Sequence, residues 1–191
     1  MGLGQLLDLP QGRHVLNEVR PRGFTLVELM VVVSIFGLLL AIVLPIMAGF
    51  IASSKIRTAA ESYATGLTHA RAESIKQNTN VELLISTGKW EVRRLSDSSV
   101  IQQASGKEAS TDVVLTVTPN GATRIAFDSF GRIIAASPVD GSSAITQIEF
   151  DTANGSTLGT SRRKLRVLME TGGAVKVCDP VVASSDPRAC V

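Results

Sequence analysis

From Leu29 to Ser54 the chain runs 26 residues without one charged side chain. No other feature restricts the fold so tightly. At ~1.5 Å per residue, a helix of that length crosses the ~30 Å hydrocarbon layer of a bilayer. The competing reading is a helix buried in a protein core, but runs of about 18 or more apolar residues rarely serve that way. The segment therefore reads as a membrane span. Gly37 and Pro45 interrupt it. Pro45 lacks a backbone donor and its ring crowds the preceding turn, so a kink is expected there.

What precedes the span is unlike an ordinary secretory signal, whose cleavage site follows the apolar segment. Here the basic and small residues come first, in Arg22-Gly23-Phe24-Thr25-Leu26-Val27-Glu28-Leu29-Met30. A cut after Gly23 removes a polar leader, residues 1–23, and leaves the apolar helix as the start of the mature chain. These residues resemble the class III signal of type IV prepilins and pseudopilins. The resemblance implies that a membrane-embedded aspartyl prepilin peptidase cuts between Gly23 and Phe24 and methylates the new Phe24 amine. It also implies other pilins as filament partners and an inner-membrane assembly platform.

Glu28 is then the one carboxylate in an apolar N-terminus. Such a group costs about 2.5 kcal/mol or more at the bilayer centre. Two readings stand. In the first, the Phe24 amine, its own or a neighbouring subunit's, neutralises Glu28 one helical turn away, the pairing that in pilins sets subunit register during assembly. In the second, Glu28 sits at the headgroup boundary and snorkels to water.

Arg13, Arg20 and Arg22 precede the span and Lys55 and Arg57 follow it, which favours a cytoplasmic N-terminus. The only cysteines, Cys178 and Cys190, lie close together near the C-terminus. A disulfide formed in an oxidising compartment explains them, with two free buried thiols as the alternative. Both observations fit a single-pass protein of the bacterial inner membrane with a cytoplasmic leader and a periplasmic C-terminal domain.

Beyond Ser54 the pattern turns amphipathic. Ile56, Ala60, Tyr63, Leu67 and Ala70 recur at helical steps, with Lys55, Arg57, Glu61, Arg71, Glu73 and Lys76 between them. One helix is expected over 24–78, with a membrane half at 24–48 and an amphipathic half at 52–77 packing its stripe on a globular domain. Asn78-Thr79-Asn80 ends it. Residues 79–191 read as β-rich. A hairpin of Val81–Ile85 and Trp90–Leu95 is followed by a polar loop from Ser96 to Thr111. Strands are then expected at Val113–Thr118, Thr123–Phe127, Arg132–Ala135, Ile145–Phe150, Lys164–Leu168 and Ala174–Cys178. The fold class is α+β, a long N-terminal helix packed on an antiparallel β domain.

The order of features carries a second resemblance. Arg71-Ala72-Glu73-Ser74-Ile75-Lys76-Gln77-Asn78 precedes the hairpin and Trp90. Ile125-Ala126-Phe127-Asp128-Ser129-Phe130-Gly131-Arg132 and a terminal Val177-Cys178 follow. From Gly23 to about Cys178 the chain resembles the GspH/FimT family of minor pilins and minor pseudopilins. Read locally, the glycines are tight turns and Arg132 an exposed charge. The resemblance implies a minor pilin that assembles or primes a type IV pilus, anchored in membrane lipid beforehand. The alternative is a minor pseudopilin of type II secretion. The cysteine pair leans to the pilus, where disulfide-closed C-terminal loops are common.

Some members of that family bind DNA through a Gly-Arg-x-Arg arrangement just before the cysteine. This chain has Gly172-Gly173-Ala174-Val175-Lys176-Val177-Cys178, so only Lys176 keeps the charge. Arg162, Arg163, Lys164 and Arg166 form a nearby basic cluster that reads either as a phosphate-binding DNA site or as a solvated strand edge guarded by charge. A net charge of +2 does not call for nucleic acid. After the leader, His69 is the only histidine, without Cys or His at a metal-ligand step. Neither a GxGxxG run nor a P-loop is present. The expectation is a structural subunit with no enzymatic activity, cofactor or metal.

Overall fold

The computed structural model describes residues 23–86, 89–104, 113–152 and 164–190. The chain divides into two compact units, Met1–Ala41 and Ile42–Val191. One helix, α1 (Leu26–Gln77), is shared by both.

In the first unit the described residues are helical from Leu26 onward and exposed throughout. Thr25 caps the helix. Its hydroxyl accepts from the Glu28 amide at 3.1 Å and its carbonyl from the Leu29 amide at 3.2 Å. Thr25-Leu26-Val27-Glu28 thus has the Thr-x-x-Glu pattern of a capping box, of which the Thr25 half is formed and gives the Glu28 amide an acceptor.

In the second unit α1 changes character where the sequence does. Ile56, Ala59, Ala60, Tyr63, Leu67, Ala70 and Ser74 are buried along one face. The helix closes on Asn78, which adopts φ 47°. Asn78 N donates to Ile75 O at 3.3 Å and Thr79 N to Ser74 O at 3.1 Å. These two bonds form a Schellman motif with Asn in the left-handed position usually given to glycine.

Among the described residues nine strands follow, all paired antiparallel. One sheet has the order β3-β2-β1-β5-β6, built from β1 (Val81–Ser86), β2 (Lys89–Arg94), β3 (Val100–Gln103), β5 (Arg124–Phe127) and β6 (Ile133–Ile134). The other has the order β4-β7-β8-β9, built from β4 (Val113–Thr118), β7 (Gln147–Thr152), β8 (Leu165–Met169) and β9 (Val175–Cys178). Alternate residues of both sheets, among them Leu83, Val92, Ile125, Phe127, Ile148, Phe150 and Val167, join the helix stripe in one apolar cluster. Tyr63 meets Phe150 edge-on, with ring centroids 5.3 Å apart. The fold is α+β, an amphipathic helix stripe packed on antiparallel sheets.

Strand β3 corrects the expectation of a continuous loop from Ser96 to Thr111. Asp97 Oδ1 accepts from both the amide and the hydroxyl of Ser99, and Arg94 N donates to Ser99 O at 3.0 Å. That tight turn returns Val100–Gln103 against β2. An edge strand is paired through its backbone on one side only, so a short polar segment can serve.

Candidate functional site

The N-terminal junction is exposed. Phe24 is 84% accessible, and a Cβ built on Gly23 would meet nothing within 4 Å. Nothing among the described residues therefore demands glycine at position 23. Among the described residues, no side-chain partner reaches the Glu28 carboxylate; the bond Glu28 makes is through its amide. The large apolar side chains from Leu26 to Leu44, and those of Met47, Phe50 and Ile51, stand exposed, and the helix is long and apolar enough to cross a membrane.

Residues 20–44 match the model of the prokaryotic N-terminal methylation motif, and residues 59–178 match the family described as type II transport protein GspH. The second match spans more than half of the chain.

The chain belongs to the GspH family.

It is accordingly a minor pilin or pseudopilin, a class of subunit that associates with other pilins in a filament. Two crystal structures of the type IV minor pilin FimU of Pseudomonas aeruginosa (strain PAO1), in space groups P21 and P65, are similar to it at 17% identity. The first match covers 74% of this chain and 99% of that one, with a TM-score of 0.49. The second covers 71% and 99%, with a TM-score of 0.44. A comparison with curated protein sequences gives no match.

Within the globular part, the segments that carry the GspH resemblance meet around Arg71. Its Nε donates to the Gly131 carbonyl at 3.1 Å. Gly131 has φ 76° and Gly173 has φ 80°, a region that favours glycine. Ile133 N donates to Thr171 O at 3.1 Å, so the β5–β6 turn is tied to the β8–β9 turn. Asp128 organises the first of these turns by accepting from the amides of Phe130 and Arg132 and from Arg132 Nε, each at 2.9 Å. Burial raises its pKa, but these hydrogen bonds and the Arg132 charge outweigh burial and hold it below the usual range. Arg132 also lies 5.3 Å from the centre of the Phe130 ring.

Cys178 and Cys190 are joined in a disulfide. The closed loop is pinned by Asp179 N donating to Arg188 O at 2.8 Å. Arg188 in turn holds Asp186, whose pKa falls to about 2 through the side-chain and backbone hydrogen bonds Arg188 makes to it.

Of the basic cluster, Arg162 and Arg163 lie outside the described residues. Lys164 Nζ is 3.0 Å from Glu149 Oε1 and 3.2 Å from Asp151 Oδ2, and Arg166 Nη2 is 2.7 Å from Glu149 Oε2. Hydrogen bonds from Arg166 and then Lys164 lower the Glu149 pKa. Lys176 is exposed on the edge strand β9. The acidic partners escaped the reading of the cluster. Their signal was the alternation Ile148-Glu149-Phe150-Asp151, which puts two carboxylates on the face opposite the core. His69 lines an open groove with Val175 and Val177. Among the described residues no group of three or more His, Cys, Asp or Glu is placed to hold a metal.

Proposed function

We propose that this chain is a minor pilin that takes part in assembling or priming a type IV pilus, held in the bacterial inner membrane by its N-terminal helix until incorporation. The prepilin peptidase cuts between Gly23 and Phe24 and methylates the Phe24 amine, leaving the leader in the cytoplasm and the globular domain in the periplasm. The Phe24–Ala48 segment then packs among the corresponding helices of neighbouring pilins, delivered by the inner-membrane platform.

The observation that carries this reading is the Glu28 carboxylate. Among the described residues it stands without a side-chain partner one turn from Phe24, and the residues from Leu26 to Ala41 around it are exposed and, Ser34 apart, apolar. Removed from water, it needs a cation. The nearest candidate is the amine that cleavage would create, on this subunit or on its neighbour. The unconstrained space at Gly23 supports a requirement imposed by the peptidase rather than by the fold.

The test compares Glu28→Ala with Thr25→Ala. Glu28→Ala leaves cleavage intact, as read by mass spectrometry of an N-terminal Phe24, but depletes the subunit from sheared filaments. Thr25→Ala removes only the cap, at a cost of about 1 kcal/mol, and has the smaller effect. Normal recovery of Glu28→Ala in filaments refutes the pairing.

A second reading, a minor pseudopilin of type II secretion, draws support from the description of the matched family as a type II transport protein. Loss of secretion with intact surface pili on deleting this subunit would favour it.

A further inference from the structure

Where α1 leaves its exposed apolar stretch, a cavity of about 380 Å³ opens beside it, bounded by the helix, β8, the end of β9 and the disulfide loop. Arg57 and Glu61 face it from the helix, Asp179 and Arg188 from the loop, over an apolar floor that includes Ile56 and Val177. Arg57 and Arg188 are 73% and 63% accessible.

The bonding of these groups is incomplete. Arg57 meets Glu61 through Nε at 2.7 Å, and among the described residues its two terminal nitrogens have no partner. Arg188 engages Asp186 through Nε and Nη2, and among the described residues Nη1 has no partner. Asp179 Oδ1 accepts from the Val181 amide at 2.9 Å, and among the described residues Oδ2 has none. One wall thus offers guanidinium donors suited to phosphate oxygens, while a carboxylate oxygen beside them suits an ammonium. Two cations set among three carboxylates, Glu61, Asp179 and the Asp186 that Arg188 holds, disfavour a bare anion. They match a group carrying both signs.

The position along the helix points to the source. A bilayer core of ~30 Å entered just after Glu28 takes about 20 residues of helix and ends near Ala48. The polar layer beyond it, roughly 5–7 Å thick, reaches Ser53. Ser53 and Arg57 line the cavity, and Met47, Phe50 and Ile51, earlier on the helix, are large apolar side chains left exposed.

We propose that this cavity receives the headgroup of a zwitterionic phospholipid, with the phosphodiester at Arg57 and Arg188 and the ammonium at Asp179. The proposal rests on the membrane-spanning reading of α1. A bound headgroup holds the globular domain at the membrane surface, and the subunit gives up that contact when it leaves the bilayer for a filament.

The experiment uses the mature full-length protein in nanodiscs of equal phosphatidylethanolamine and phosphatidylglycerol. After transfer to detergent, the lipids retained by each protein are counted by native mass spectrometry. Wild type is expected to retain phosphatidylethanolamine about tenfold over phosphatidylglycerol, the ratio that a single charge-assisted hydrogen bond sustains. Asp179→Asn brings the two lipids near parity, and Arg57→Gln with Arg188→Gln loses both. Unchanged fluorescence of the single tryptophan, Trp90, certifies each variant as folded. Equal retention of both lipids by wild type, or a preference that survives all three substitutions, overturns the proposal while leaving the membrane span standing. Protein recovered outside the nanodiscs overturns the span itself, and the headgroup site with it.

Discussion

Arg71 Nε donates to the carbonyl of Gly131 at 3.1 Å, and the same carbonyl faces Gly173 so closely that a Cβ at 173 would overlap it. Three segments far apart in sequence converge at this point: the end of the helix, the β5–β6 turn and the β8–β9 turn. Arg71 supplies a donor, and each glycine supplies a backbone that other residues rarely adopt.

Gly173→Ala therefore combines a strained φ with a steric clash and should destabilise the protein by about 2–4 kcal/mol. Gly121→Ala is the control. Its φ is 82°, yet a Cβ there would meet nothing within 4 Å, so it should cost only about 1–2 kcal/mol. Chemical denaturation of both variants separates the two contributions. Equal losses would show that the approach of Gly131 to Gly173 is unimportant.

Trp90 is buried against α1, with its indole N–H donating to the Ser62 hydroxyl at 3.1 Å. A Cβ at Gly66 would come within 2.9 Å of the ring. In an open helix, Gly→Ala gains up to about 1 kcal/mol. Here the clash reverses the sign, so Gly66→Ala should lower stability and redden the Trp90 emission. A stabilised variant with unchanged emission would show that the ring has room to move.

The helix and its stripe were legible because the 3.6-residue period is local: Ile56, Ala60, Tyr63, Leu67 and Ala70 are all buried. The hairpin of β1 and β2 was legible for the same reason, with Ser86 facing Lys89 at its end. Strand β3 was not, because pairing on one side of an edge demands little of side chains. The Thr25 cap stood in plain sight as Thr-x-x-Glu, yet the charge of Glu28 drew the reading elsewhere. What stayed hidden depends on partners remote in sequence. Arg71 meets Gly131 across 60 positions, and Lys164 and Arg166 meet Glu149 across 15 and 17. No window of sequence displays such pairs.

Tyr63, the only tyrosine, has a buried hydroxyl without a hydrogen-bond partner among the described residues. Burial pushes its pKa up to about 12 from 10.0. The unfolded chain then ionises at the lower pH. The contribution of this group to stability is complete below pH 10 and is lost as pH rises through about 12. Tyr63→Phe should remove that alkaline loss and be neutral or stabilising at pH 7, since it deletes an unsatisfied polar atom. Phenolate absorbance reports the titration directly. A midpoint near 10 in the folded protein would show that the hydroxyl reaches water.

The final prediction concerns nucleic acid. Phosphate binding needs cations free to replace condensed counterions, and affinity then falls steeply with salt. Lys164, just before β8, and Arg166 on its outer face are already engaged by Glu149 and Asp151 from β7. DNA would have to displace those carboxylates and face their charge. The full chain in detergent should therefore show no salt-sensitive binding to duplex DNA near physiological ionic strength. Glu149→Gln with Asp151→Asn frees both cations without altering the basic residues, and should create weak, sequence-independent binding that vanishes at high salt. Tight binding by the wild type, abolished by Arg162→Gln and Arg163→Gln, would instead make residues 162 and 163 the DNA contact and the β8 ion pairs their support.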